Sequence, residues 1–158
     1  PTAANCQLFK RHGVLTPAEL KARTEVLLEN YSMKINIEAG TTLSMARRQI
    51  MPACCNYAGQ LGNTIASVTS AGIDADVQIS LLKRVNKLIT ALQIGIEDLE
   101  TAQAKASAIS SAVKQAEAYR DLVIPAMDAV RTPADELETI VDADLWPMPT
   151  YAEMLFIR

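Results

Sequence analysis

The apolar residues of this chain recur every third or fourth position over stretches that only long helices accommodate. From Leu43 the series runs through Ala46, Ile50, Cys54, Tyr57, Leu61, Ile65 and Val68. A second series runs Val85, Leu88, Leu92, Gly95, Leu99, Ala102, Ala106, Ile109 and Val113. The pattern carries on to Tyr119, Val123, Met127 and Val130. Such steps put side chains on one face of an α-helix, and their alternation is that of coiled-coil-like packing. No strand-like alternation bounded by turn signals competes with them. Much of the 49% hydrophobic share is alanine, and only 4% of the chain is aromatic. Alanine favours helix and has little bulk, so the helices are expected to lie close together. The expected fold is all-α: an antiparallel bundle of long, proline-kinked helices with a short aromatic and proline-rich C-terminal tail.

Local signals set the expected boundaries. Residues 3–12 read as a short helix ended by Gly13 in the left-handed conformation. Thr16, Pro17 and Glu19 supply a cap, a first-turn proline and a capping-box carboxylate, so a long helix is expected over about 17–37. Leu20, Leu27, Tyr31 and Ile35 form its apolar face, with Leu28 beside it, and it is expected to weaken from Asn36 to Gly40. The next helix is expected over about 41–71, kinked at Pro52 and ended by Gly72. Gly59 and Gly62 in it would permit close helix approach. Asp74 is the expected cap of a helix over 75–105, with Asp76 favourable in its first turn. One helix onward to Val130 would exceed usual lengths, so a reversal is expected within 105–113. Ser110 or Ser111 would cap the last long helix, over about 111–142, with a kink at Pro125. Thr132 to Asp135 repeats the Thr-Pro-x-acidic pattern and reads either as a fresh start or as a second bend. The 158 residues suffice for one helical domain with its own core.

The net charge is −3, with 15 basic and 18 acidic residues, which gives no electrostatic reason to expect nucleic acid or an anionic membrane as partner. No uncharged apolar run approaches the roughly 18 residues of a membrane helix, and residues 1–15 lack the apolar core of a signal peptide. Cys6, Cys54 and Cys55 are odd in number. Adjacent cysteines on a helix point about 100° apart, which suits neither a disulfide nor a shared metal, so a reducing intracellular setting is the simplest reading. His12 is the only histidine and reads as a surface or capping residue rather than a metal ligand. The acidic groups Glu97, Asp98, Glu100 and Asp135, Glu136, Glu138, Asp142, Asp144 read as solvated faces. Arg47, Arg48, Lys83, Arg84 and Lys87 either meet acidic groups on a neighbouring subunit or stay solvated. Neither phosphate-loop motif occurs. No catalytic, cofactor-binding or metal-binding residue is assigned.

The tail, "DADLWPMPTYAEMLFIR", stands apart from this alanine-rich body. It holds the only Trp, Trp146, between an acidic run and Pro147 and Pro149, and then Tyr151, Leu155 and Phe156. The prolines stiffen the backbone, the aromatic residues offer much apolar area, and Thr150 with Glu153 suits the cap of a last short helix. These six residues, Trp146, Pro147, Pro149, Tyr151, Leu155 and Phe156, are the candidate docking set. They serve either another surface or the closure of their own bundle.

Residues 8–53 resemble the segment that follows the catalytic barrel in type III glutamine synthetases, and residues 119–156 resemble the end of the same enzymes. The phrases "LLENY", "INIEA", "IPAM" and "WPMPTY" carry most of the specificity. The resemblance implies a C-terminal piece of a larger enzyme that ligates ammonia to glutamate with ATP and Mg²⁺ or Mn²⁺, in the cytoplasm, as a homo-oligomer, typically a ring dodecamer. It implies a non-catalytic, structural or assembly role for this piece, with the rest of the parent polypeptide and neighbouring subunits as partners and no cofactor of its own. A start at Pro1 rather than Met fits a piece of a longer protein. The alternative is a self-standing helical scaffold or adaptor for other proteins.

Overall fold

Thr16 opens the first long helix by the route its sequence dictates. Its hydroxyl accepts from the Glu19 N–H at 3.2 Å, and its own N–H donates to the Glu19 carboxylate at 2.7 Å. These bonds from the Thr16 backbone and hydroxyl hold the Glu19 carboxyl below the usual carboxylate range. The structure, a computed structural model, describes residues 1–149 and 151–155. Helix α1, Ala3–Arg11, is capped by Thr2 and followed by Gly13 at φ 64°. Helix α2 spans Pro17–Met45. It passes through a π-helical turn, Ala46–Ile50, directly into α3, Met51–Ser70. Gly72, at φ 76°, follows the end of α3.

The expected interruption between 37 and 41 is absent, because α4 (Asp76–Ser107) clasps that stretch. The Gln103 Nε2 donates to the Asn36 carbonyl at 3.1 Å and to its Oδ1 at 2.9 Å. The same amide nitrogen lies 3.8 Å from where a Cβ on Gly40 would stand. Tertiary packing thus offsets the roughly 1 kcal/mol that glycine costs in a helix. The inward phase of α2 also differs in part from the expected one. Leu27 is 69% exposed, whereas Leu28, Ser32, Ile35 and Ala39 turn towards the core.

Two interior prolines, Pro52 and Pro125, are absorbed in the same way. Met51 N–H bonds back five residues to Ala46, and Pro52 follows; Ile124 N–H bonds back to Tyr119, and Pro125 follows. A proline supplies no N–H and its ring crowds the carbonyl four residues back. A turn widened by one residue before it gives that carbonyl room. The second such turn, Tyr119–Val123, joins α5 (Ala112–Ala118) to α6 (Ile124–Glu138). Pro133 lies inside α6, so Thr132 to Asp135 is no fresh start; the Thr132 hydroxyl donates to the Asp128 carbonyl at 2.9 Å.

The reversal falls at residues 108–111, inside the expected window. Ser111 occupies the cap position of α5 without a side-chain capping bond, and Ala75 rather than Asp74 occupies that of α4. The α4 helix runs back along α3 and α2, and α6 runs antiparallel to α4. Arg47 forks onto Glu100 at 3.0 and 2.6 Å, and Arg84 onto Glu136 at 3.1 and 2.7 Å, so these basic and acidic groups meet across helices of one chain. Gly95 is the point of closest approach: an added Cβ would stand 3.1 Å from the Ala129 carbonyl oxygen and 3.3 Å from the Val130 Cα. Gly59 and Gly62 do not serve this way, since nothing lies within 4 Å of their Cβ positions. Val85, Leu92, Ile96, Leu99, Val123 and Leu137 are completely buried between the helices. No strand occurs among the described residues. The fold is an all-α antiparallel bundle.

Among the described residues, Ser32 is the one buried polar residue, and its hydroxyl has no hydrogen-bond partner. An unmet buried hydroxyl is destabilising, and serine is a poorer helix former than alanine. Ser32→Ala is therefore expected to stabilise the chain by about 1 kcal/mol, read as a rise in thermal midpoint. An unchanged or lower midpoint would show that the hydroxyl is satisfied in solution.

Candidate docking site

The tail folds back under the bundle through an aspartate turn. Asp142 accepts at its carbonyl from the N–H groups of Leu145 and Trp146, both at 3.0 Å, and its Oδ1 accepts from Asp144 N–H at 2.9 Å. Such side-chain bonds to nearby backbone favour a turn over helix. Leu145, Trp146 and Met148 then pack against the core cluster. Pro147 and Pro149 face solvent. A last short helix, α7, spans Tyr151–Leu155, and its Leu155 is 75% exposed. Phe156 lies outside the described residues. The candidate set is thus divided: Trp146 turns inward, and Pro147, Pro149 and Leu155 turn outward.

Trp146 and Met148 close one end of a groove of about 490 Å³ between α2 and α6. Its walls are Met45, Ala46 and Ile50 on one side and Met127, Val130 and Ala134 on the other. The first π-turn therefore builds one wall. Glu38, Asp128, Asp135 and Glu138 stand around this apolar floor. Arg131 also lines it but is held by Asp135 at 3.1 Å. The Nε1 of Trp146 is buried and has no hydrogen-bond partner. A second groove, of about 820 Å³, lies on the other side of the indole, towards Pro147 and Pro149.

Sequence reasoning missed Glu38 and Asp128 and read Asp135 and Glu138 as plain solvated surface. A signal was present. Asp128, Arg131, Asp135 and Glu138 are spaced by three, four and three, hence on one face of α6. Their partner wall lies some eighty residues earlier and carries no such mark.

A different surface lies on the outer face of α2. Ala22, Val26, Asn30, Met33, Ile37, Thr41 and Ser44 are all exposed and uncharged. Steps of four, four and three repeat twice, an eleven-residue period that stays on one side of a straight helix. The stripe is about 33 Å long at 1.5 Å per residue and lies opposite the core-facing row of Leu28, Ser32, Ile35 and Ala39. Val26 is 54%, Met33 54% and Ile37 60% exposed.

The remaining reactive groups do not converge. Burial pushes the Cys54 thiol up to about 11, with the neighbouring Cys55 adding to the effect. A thiol so held is a poor nucleophile at neutral pH. Cys55 is exposed and points elsewhere, and His12 stands at the C-cap of α1. Among the described residues, no three His, Cys, Asp or Glu side chains are grouped to hold a metal, and no helix is long and apolar enough to cross a membrane.

Residues 2–69 match the family model described as the glutamine synthetase C-terminal domain. The chain is similar to a glutamine synthetase of Butyrivibrio fibrisolvens, 34% identical over 152 residues, covering 94% of this chain and 22% of that protein. A type-3 glutamine synthetase of Dictyostelium discoideum is 29% identical over 160 residues, covering 98% of this chain and 22% of that one. A glutamine synthetase of Bacteroides fragilis is 26% identical over 151 residues, with 92% and 21% covered. The chain therefore spans about a fifth of the length of the relatives it matches. Residues 2–69 are thus similar to the glutamine synthetase C-terminal domain, and nearly the whole chain is similar to one fifth of these glutamine synthetases.

Proposed function

We propose that this chain is the non-catalytic C-terminal helical domain of a type III glutamine synthetase and that it supports the architecture and oligomeric assembly of its parent. The parent reaction in this reading is ATP- and Mg²⁺- or Mn²⁺-dependent ligation of ammonia to glutamate in the cytoplasm, with the catalytic groups elsewhere in the polypeptide. The observation that carries the assembly role is the uncharged stripe on α2. A helix with one apolar face is a surface helix of its own bundle. α2 carries an apolar face used by the bundle and, opposite it, this uncharged one that the bundle leaves open. Val26, Met33 and Ile37 give the open face an exposed apolar centre, and such patches mark interaction surfaces. The parent polypeptide or a neighbouring subunit is the partner in this reading, because the relatives are about four times longer than the part matched here.

The test is Met33→Glu with Ile37→Glu in the full-length parent. Both side chains are already in water within this chain, so the domain should melt as before. Burying two carboxylates in an apolar contact is costly. Association should weaken at least about tenfold, from roughly 1.4 kcal/mol or more, with smaller species in sedimentation velocity. An assembly identical to the parent's would overturn the assembly role.

A further inference from the structure

We propose that the groove between α2 and α6 is a docking trough for a segment of a separate polypeptide chain that presents an arginine or lysine beside an apolar side chain. The proposal does not depend on the identity of the parent reaction. Its volume, about 490 Å³, lies within the roughly 300–1,000 Å³ of ligand-holding clefts. The shape selects the class of occupant. The walls run from Glu38 to Ile50 on one side and from Met127 to Glu138 on the other. Each wall is thus three helical turns long or more, about 16–18 Å. A small molecule is usually enclosed on most of its surface, and this trough is open along its length. An extended or helical segment fits such a trough and buries side chains along it.

Charge selects the occupant's chemistry. The Arg131 guanidinium is taken by Asp135. The carboxylates of Glu38, Asp128 and Glu138 line the groove and make no ion pair among the described residues. Three unpaired negative charges beside an apolar lining that includes Met45, Met127, Trp146 and Met148 repel an acidic or purely apolar occupant and attract a cation with an apolar neighbour. Methionines adapt to varied shapes, and the indole offers its face to a guanidinium.

Trp146 is the chain's only tryptophan, so its fluorescence reads the trough directly. The probe is a capped five-residue peptide with one arginine between two leucines, titrated into the 158-residue chain. Saturable change in emission is expected with a dissociation constant on the order of 0.1–1 mM, weakening as salt is raised. Glu38→Gln with Glu138→Gln, both at exposed positions, should weaken binding about four- to twentyfold while circular dichroism stays that of the parent. The same peptide with glutamate in place of arginine should leave the emission unchanged. No saturable response to the arginine peptide would overturn the proposal, as would an equal response to the glutamate peptide or full affinity in the double variant. An equal, competing response to spermidine would assign the trough to small amines and overturn the polypeptide occupant.

Discussion

Gly95→Leu is expected to cost the bundle at least about 3 kcal/mol, at or beyond the upper end of what overpacking usually does. The atoms facing Gly95 are backbone: the Ala129 carbonyl oxygen at 3.1 Å from a Cβ, and the Ala129 carbonyl carbon and Val130 Cα at 3.3 Å. A side chain can rotate away from an intruder, but a helix backbone cannot. Admitting three further carbons means moving α4 and α6 apart along their most extensive contact, which also carries the Arg84–Glu136 pair and buried Leu92, Ile96 and Leu137. The thermal midpoint should fall by about 6–12 °C, at 2–4 °C per kcal/mol for a chain of this size. Gly95→Ala is the graded control. Its Cβ needs a shift of a few tenths of an ångström, offset by alanine's helix preference of roughly 1 kcal/mol, so its midpoint should change little. A leucine variant that melts with the parent would mean that the two helices do not approach as described.

Leu99→Ala should act by the opposite route, leaving a void instead of forcing a gap. Leu99 is fully buried on α4 and belongs to the continuous core cluster of α2, α3, α4 and α6. Deleting its branched end removes transfer energy and leaves a cavity that neighbouring helices only partly close, for about 2–5 kcal/mol. Ile94, five residues earlier, is 54% exposed, so Ile94→Ala serves as the matched surface control with an effect within about 0.5 kcal/mol. Chemical denaturation of the pair decides the matter. Equal midpoints would place Leu99 in solvent.

These two residues also show what the sequence could and could not convey. Both stood in the three-and-four series of α4, and periodicity alone put them on the inward face. In α2 the same method placed Ile35 inward, as it is, but put Leu27 and Tyr31 inward with it. Leu27 and Tyr31 fit a stripe as well as Leu28 and Ile35 do, and only packing against α5 and α6 decides between them. Gly40 suggested a break for lack of any sign that Gln103, more than sixty residues later, would hold the backbone there. Pro52 and Pro125 were legible as perturbations, but the widened turn that absorbs each has no signature in residue type. The groove was the least legible feature. Its walls come from α2, α6 and the tail, and no local pattern announces that three distant segments will enclose one space. Of the tail's candidate residues, Trp146 lines that space, whereas Leu155 does not contribute to it.

The uninterrupted passage from Pro17 to Ser70 has a mechanical consequence. Its 54 residues amount to about 80 Å of helix at 1.5 Å per residue. Helices α4, α5 and α6 pack along this passage, and α1 packs against α2. The passage is a braced strut. A body attached near Pro17 is held at a fixed distance from one attached near Ser70. Because helix resists compression and bending far better than loop, the separation is set by residue count alone. Removing four residues from the strut's first turns would shorten the span by about 6 Å and rotate the end by about 40°, whereas removing a single residue would rotate everything beyond it by about 100°.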